Sequence, residues 1–220
     1  MIRAVLFLTF LVVGTGGCFP KRPPPPESAV ISADSIHALD KLEKEAAHQS
    51  FDFPLAWQKG DWFSYDNPDE KWQVRERYSD RVVMVNDKGV LQILPPNPFI
   101  PAIAWQGPES KGRRKLSNLH GSLYPLAVGK RLQFDVDGQS DRPAHSWRAH
   151  WLCNVTAKKQ ARLPKSDQTT DAFVVVCESD GQFINFTYSP QLDHHLSIHT
   201  SLNGKDQVRR LTDIKKGKAN

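Results

Sequence analysis

From Phe51 onward, polar and apolar positions alternate with a period of two. Trp72 and Val74 alternate with Gln73 and Arg75, and Leu132, Phe134 and Val136 alternate with Gln133, Asp135 and Asp137. Trp147, Ala149, Trp151, Cys153 and Val155 form a third run, interleaved with Arg148, His150 and Asn154. Successive side chains of a strand point to opposite faces, so the pattern predicts antiparallel strands with one buried and one wet face. Asp87-Lys88-Gly89, Asp137-Gly138, Asp180-Gly181 and Asn203-Gly204 supply turn chemistry between the runs. The expected fold is mainly β: an antiparallel, strongly curved sheet, or an open barrel or sandwich, over residues 51–213.

Asp180-Gly181 allows the register itself to be counted. With a two-residue turn there, Ser179 faces Gln182, Cys177 faces Ile184, Val175 faces Phe186 and Phe173 faces Tyr188. The six residues from Phe173 to Tyr188 in those last three pairs fall on one face, so turn chemistry and hydrophobic pattern agree. Cys177 then points inward, as Cys153 does on its own strand beside Trp147 and Trp151.

The alternation lapses between Leu94 and Leu123, where Pro95, Pro96, Pro98 and Pro101 precede a polar stretch carrying Gly107, Pro108 and Gly112. Such a gap reads as a functional loop or a seam, here between halves at about 51–105 and 122–213, within one β-rich domain whose sheet could run on across it. Arg113, Arg114 and Lys115 fall in it and are the expected partner-contact residues, because binding concentrates on segments freed from pairing. Trp57 and Trp105, with loop-like neighbours, are expected to be partly exposed.

Ahead of the strands, Ile36, Leu39, Leu42 and Ala46 recur at threes and fours, with Ser32 or Asp34 as a cap. This predicts one N-terminal amphipathic helix within residues 32–50, packed on the following domain or docked on a partner. Residues 18–31 contain Pro20 and the run Pro23 to Pro26, which cannot pack a core and form an extended linker. Residues 214–220 read as a basic tail with Lys215, Lys216 and Lys218.

The first 17 residues have Arg3, then about ten apolar residues, then Gly14, Gly16 and Gly17. That is the layout of a signal peptide, too short to span a bilayer as a stable helix. Followed by Cys18, it resembles the leader of bacterial lipoproteins, with Thr15 where that family usually carries an aliphatic residue. The resemblance implies lipidation of Cys18 on sulfur, followed by acylation of the new N-terminus. Phe19, where Asp would favour inner-membrane retention in that family, implies the outer membrane and its periplasmic face. Export makes Cys153 and Cys177, the other two cysteines, a disulfide pair. Closing a loop of about 25 residues stabilises by about 3.5 kcal/mol in the chain-entropy view.

The second half resembles an uncharacterised β-rich module of bacterial exported proteins. The shared frame is Tyr124-Pro125-Leu126-Ala127-Val128-Gly129-Lys130, Trp151-x-Cys153-x-Val155, Asp171-Ala172-Phe173 leading to Cys177, and Tyr188-Ser189-Pro190. Leu163 to Thr170, a longer polar loop, departs from the family pattern. The frame implies a β-rich fold and carries no catalytic residue.

Charge and chemistry narrow the function. Net charge is +5, carried by short basic runs flanked by polar or turn residues. Such runs are solvated faces, nucleic acid does not suit an exported anchored chain, and attraction to anionic head groups does. Asp193-His194-His195-Leu196-Ser197-Ile198-His199 is the sole metal hint. His195 and His199 would lie about 13 Å apart on one side of a strand, so they cannot share an ion without a bulge or added ligands such as His145 or His150. The plainer reading is a solvent-exposed strand end with no metal and no cofactor. Asp66-Asn67-Pro68-Asp69 is a turn, and no catalytic frame such as Gly-x-Ser-x-Gly or His-Glu-x-x-His is present. The expected function is a non-enzymatic envelope module that binds a protein partner, with a carrier or sensor of an amphipathic ligand second and a hydrolase third. An apolar cavity of a few hundred cubic ångströms would favour the carrier, and a filled core the partner-binding module.

Overall fold

Twelve strands run antiparallel in chain order and close into a barrel, β1 pairing with β12. The computed structural model describes residues 53, 55–202 and 204–217. The strands are β1 Trp62–Tyr65, β2 Glu70–Arg77, β3 Val82–Asn86, β4 Leu91–Leu94, β5 Ala104–Gln106 and β6 Lys111–Gly121. The second set is β7 Arg131–Asp141, β8 Ala144–Arg162, β9 Thr169–Ser179, β10 Gln182–Ser189, β11 His194–Leu202 and β12 Lys205–Lys215. Closure leaves neither an open sheet nor an exposed edge. The expected leader, Cys18, the Pro-rich linker and the helix at 32–50 lie outside the described residues.

The alternation does what it should. Leu132, Phe134 and Val136 of β7 are buried together with Cys153 and Val155 of β8 and Val175 and Cys177 of β9. Asp135 and Asp137 face the other way and bind His150 and Arg148. The hairpin at Asp180-Gly181 has the counted register, Ser179 opposite Gln182 and Phe173 opposite Tyr188. Leu202 pairs with Lys205 around Gly204, and Asp66 to Asp69 form a turn.

Three expectations are corrected. Asp137-Gly138 is not a turn: both residues lie within β7, and the chain reverses at Arg142 and Pro143 instead. Nor is the segment at 94–123 a long loop: the halves on either side share one sheet. Strands β5 and β6 carry the barrel across it, pairing with β4 and β7. Its proline-rich part turns inward, burying Phe99 and Ile100, and Phe99 meets Phe53, Phe186 and Tyr188 edge to face. A segment that cannot donate to a ladder at each Pro but carries a bulky apolar pair finds its place inside the barrel. Lastly, β12 continues to Lys215, and the wholly buried Asp61 accepts from the amides of Gln58 and Gly217 and pairs with Lys216. Residues 214–217 of the expected basic tail therefore belong to the barrel.

Candidate functional site

Beside its packed cores the barrel has two partly open chambers. The first, of about 230 Å³, has a mostly apolar wall that includes Trp57, Trp72, Met84, Phe99, Ile198 and Arg209. The second, of about 500 Å³, is walled by Phe134, Trp147, Trp151 and Arg114 among others. Phe99, Pro101 and Ile184 border both, so the inward-folded segment stands between them.

His194 and His195 are among the polar groups of the first chamber, and both are buried, at 1 % and 5 % exposure. This corrects the expected exposed strand end. The β10–β11 ladder shifts register between Thr187 and Tyr188, and such a bulge re-aims the side chains beside it. His194 stacks on Phe63 at 3.8 Å between ring centroids, and its Nε2 shares a 2.6 Å hydrogen bond with the Tyr65 hydroxyl. His195 stacks on Phe186 at 4.7 Å and meets Phe99 and Tyr188 edge to face. His199, on the same strand, instead approaches Asp206 at 4.0 Å and Phe183. Among the described residues no group of three or more His, Cys, Asp or Glu side chains is arranged to hold a metal.

Burial keeps both imidazoles neutral. It pushes His195 down to about 3, helped by the nearby Arg209 cation, and holds His194 well below the usual histidine range, helped by His195 and Lys216. Burial also raises the Tyr65 hydroxyl above its ordinary range. Arg209 donates through Nη2 to Glu70 at 3.1 Å and lies over the Tyr65 ring at 4.7 Å. Among the described residues, His194 Nδ1, His195 Nε2 and Arg209 Nε are buried without a partner. All three belong to residues of this one chamber. Buried polar atoms are almost always paired, so three unpaired nitrogens on residues of one chamber single it out among the described residues. Neither the exposed-end reading nor the strand period pointed to this cluster; the one sequence signal was the adjacency of two histidines after a turn at Asp193.

Asp193 fastens the chamber's outer segment. Tyr188 and the Ala56 amide donate to its carboxylate, and Trp57 Nε1 donates to its backbone carbonyl at 2.7 Å. Trp57 is thereby buried at 3 % exposure, against the expectation of partial exposure, while Trp105 is half-buried.

Arg113, Arg114 and Lys115 lie on β6, not in a loop, and strand alternation separates them. Arg113 and Lys115 face outward, Arg113 donating to Gln139 Oε1. Arg114 faces inward, and its Nη1 donates to the Ala102 carbonyl at 2.7 Å. Cys153 and Cys177 are directly opposite in the β8–β9 register and form the disulfide, both buried.

No protein-family model matches the chain, and no curated protein matches its sequence. Among solved structures, the barrel is similar to that of the hypothetical lipoprotein YmcC from Escherichia coli (K12), with a TM-score of 0.51 and 8 % identity over 82 % of this chain and 97 % of that one. At that identity the likeness is one of fold alone.

Proposed function

We propose that this chain is an exported, lipid-anchored, non-enzymatic protein of the cell envelope whose barrel carries or senses a small amphipathic ligand. The anchor is Cys18, and the location is the periplasmic face of the outer membrane. The leader and the Phe19 position support the location, and the similarity in fold to a protein described as a lipoprotein agrees with a lipid anchor. The observation that carries the binding role is the first chamber: a mostly apolar wall to which His194, His195 and Arg209, each with a buried unpartnered nitrogen, contribute. Apolar walls with a few convergent polar groups are the general form of a small-ligand pocket.

The test is calorimetric titration of the mature protein with decanoic acid and with decanol, with tryptophan emission followed in parallel because Trp57 and Trp72 line the chamber. Saturable binding is expected, and it should vanish when Ile198→Phe and Thr200→Phe together fill the space while the melt stays cooperative. No saturable heat or emission change for either probe would end the carrier reading. Contact with an envelope protein is the second reading. It is favoured by the 124–128 connection, which leaves Tyr124 46 % and Val128 59 % exposed. Tyr124→Ser with Val128→Ser should then reduce recovery of a crosslinked envelope partner, and unchanged recovery would remove that surface.

A further inference from the structure

The second chamber has a construction of its own. Across neighbouring strands, Arg114 of β6 stands opposite Gly138 of β7, and Gly138 stands opposite Trp147 of β8. A Cβ on Gly138 would meet the Trp147 ring at 2.1 Å, so the indole lies flat over a position where only glycine fits. The same device recurs one row away. Trp105 of β5 is opposite Gly112 of β6, and a Cβ there would meet the Trp105 ring at 2.2 Å. Two glycines thus bring two indoles down beside Arg114, whose guanidinium lies 4.5 Å from the Trp105 ring centroid and 5.7 Å from that of Trp147.

This guanidinium has attractive faces but, among the described residues, no ion-pair partner, although Asp180 also borders the chamber. Among the described residues its side chain donates to the Ala102 carbonyl. Among the described residues no carboxylate pairs with it, and burial alone depresses it to about 10, no acid offsetting the desolvation. The other cation of the chamber wall, Arg148, is already paired with Asp137 at 2.6 Å. Holding a desolvated cation without an anion is costly, and a guanidinium offers a planar fork matched to an oxyanion.

From this we infer that the second chamber is an anion-binding site, in which Arg114 grips a carboxylate or phosphate oxygen pair while the body attached to it, flat and apolar, packs against Trp147, Trp151 and Phe134. The site is separate from the first chamber, and its ligand is distinguished by charge where the first is distinguished by apolar volume.

The experiment uses the mature protein with benzoate, its neutral isostere benzamide, and sulfate, read by calorimetry and by the indole N–H resonances, which report each tryptophan separately. Benzoate should bind at least about ten-fold more tightly than benzamide, the step expected from one charge-assisted contact. It should also shift the signals of Trp105 and Trp147. Arg114→Gln should erase the preference and Arg114→Lys should retain part of it. Ala149→Trp, which fills the chamber from the inward face of β8 and leaves Arg114 in place, should abolish benzoate binding even if Arg114→Gln proves unstable. Equal affinity for benzoate and benzamide, or a preference that survives Arg114→Gln, overturns the anion site. Sulfate binding as tightly as benzoate overturns the apolar partner. The Ile198→Phe, Thr200→Phe protein should bind benzoate normally, and loss there would show that the two chambers are not separate.

Discussion

His195 sits among Phe99, Phe186 and Tyr188 with an unpaired Nε2, a setting that forbids its protonated form. Free in the unfolded chain, histidine titrates near 6.5, whereas in the fold this one is held down to about 3. Between those values the unfolded chain binds a proton that the native barrel refuses. Its contribution to stability is therefore complete above about pH 6.5 and falls by about 1.4 kcal/mol per pH unit below it. His194 is displaced the same way. Asp193, whose carboxyl burial raises, acts in the opposite sense on acidification. The contribution of His195 is thus isolated by substitution: His195→Phe, an aromatic of similar bulk, should flatten the loss of melting temperature between pH 6.5 and 4 relative to the native protein. A parallel pair of curves would mean that His195 is protonated in the fold. This residue was the least legible in the sequence, because period-two counting holds only while the ladder is regular. The register shift between Thr187 and Tyr188 breaks the count between the turn and His195.

The elements that were easy to foresee are those in which two independent signals coincided. In the β9–β10 hairpin, Asp180-Gly181 demanded a tight turn, and the apolar positions demanded the same register. That register and the inward face of β8 together brought Cys153 and Cys177 within bonding reach. Cys177→Ala should lower stability by about 2–5 kcal/mol in chemical denaturation. A smaller change than about 1 kcal/mol would mean that the strands hold their pairing without the bridge. Gly138 shows the opposite case. Asp-Gly is also turn chemistry, yet here the glycine sits in mid-strand because Trp147 occupies the space a side chain would need. Two strands and a ring decide that, and no local pattern encodes it. Gly138→Val should destabilise the barrel by about 1–3 kcal/mol through overpacking and shift the Trp147 emission. Unaltered emission and melting would show that the indole moves aside freely. For the same reason β5 and β6 were missed as strands. β5 has three residues, and the inward row of β6 begins with Gly112 and Arg114, neither of which reads as apolar.

At the scale of the molecule, closure between β1 and β12 makes the two ends of the described chain neighbours. Asp61, near one end, binds Lys216 and Gly217 near the other. The apolar faces of β7, β8 and β9 point into the barrel, and charged pairs such as Arg148 with Asp137 and Lys158 with Asp171 lie on its surface. That is the reverse of a barrel that spans a bilayer, which is apolar outside. On the face formed by β7, β8 and β9 the barrel presents charge where a lipid-facing belt would be apolar, so in the proposed function membrane attachment falls to the N-terminal segment. A single short acyl chain gives only marginal binding, and stable anchoring takes at least two. Lipidation at Cys18 and at its freed amine would supply them. Labelling growing cells with an alkyne fatty acid should therefore tag the protein, and most of it should sediment with membranes. Cys18→Ser should take up no label and leave the membrane fraction, while the Cys153–Cys177 bridge and the thermal midpoint stay as they were, because the barrel is closed by its own strands. Membrane retention of the unlabelled Cys18→Ser protein would place attachment on the barrel itself and overturn the anchor.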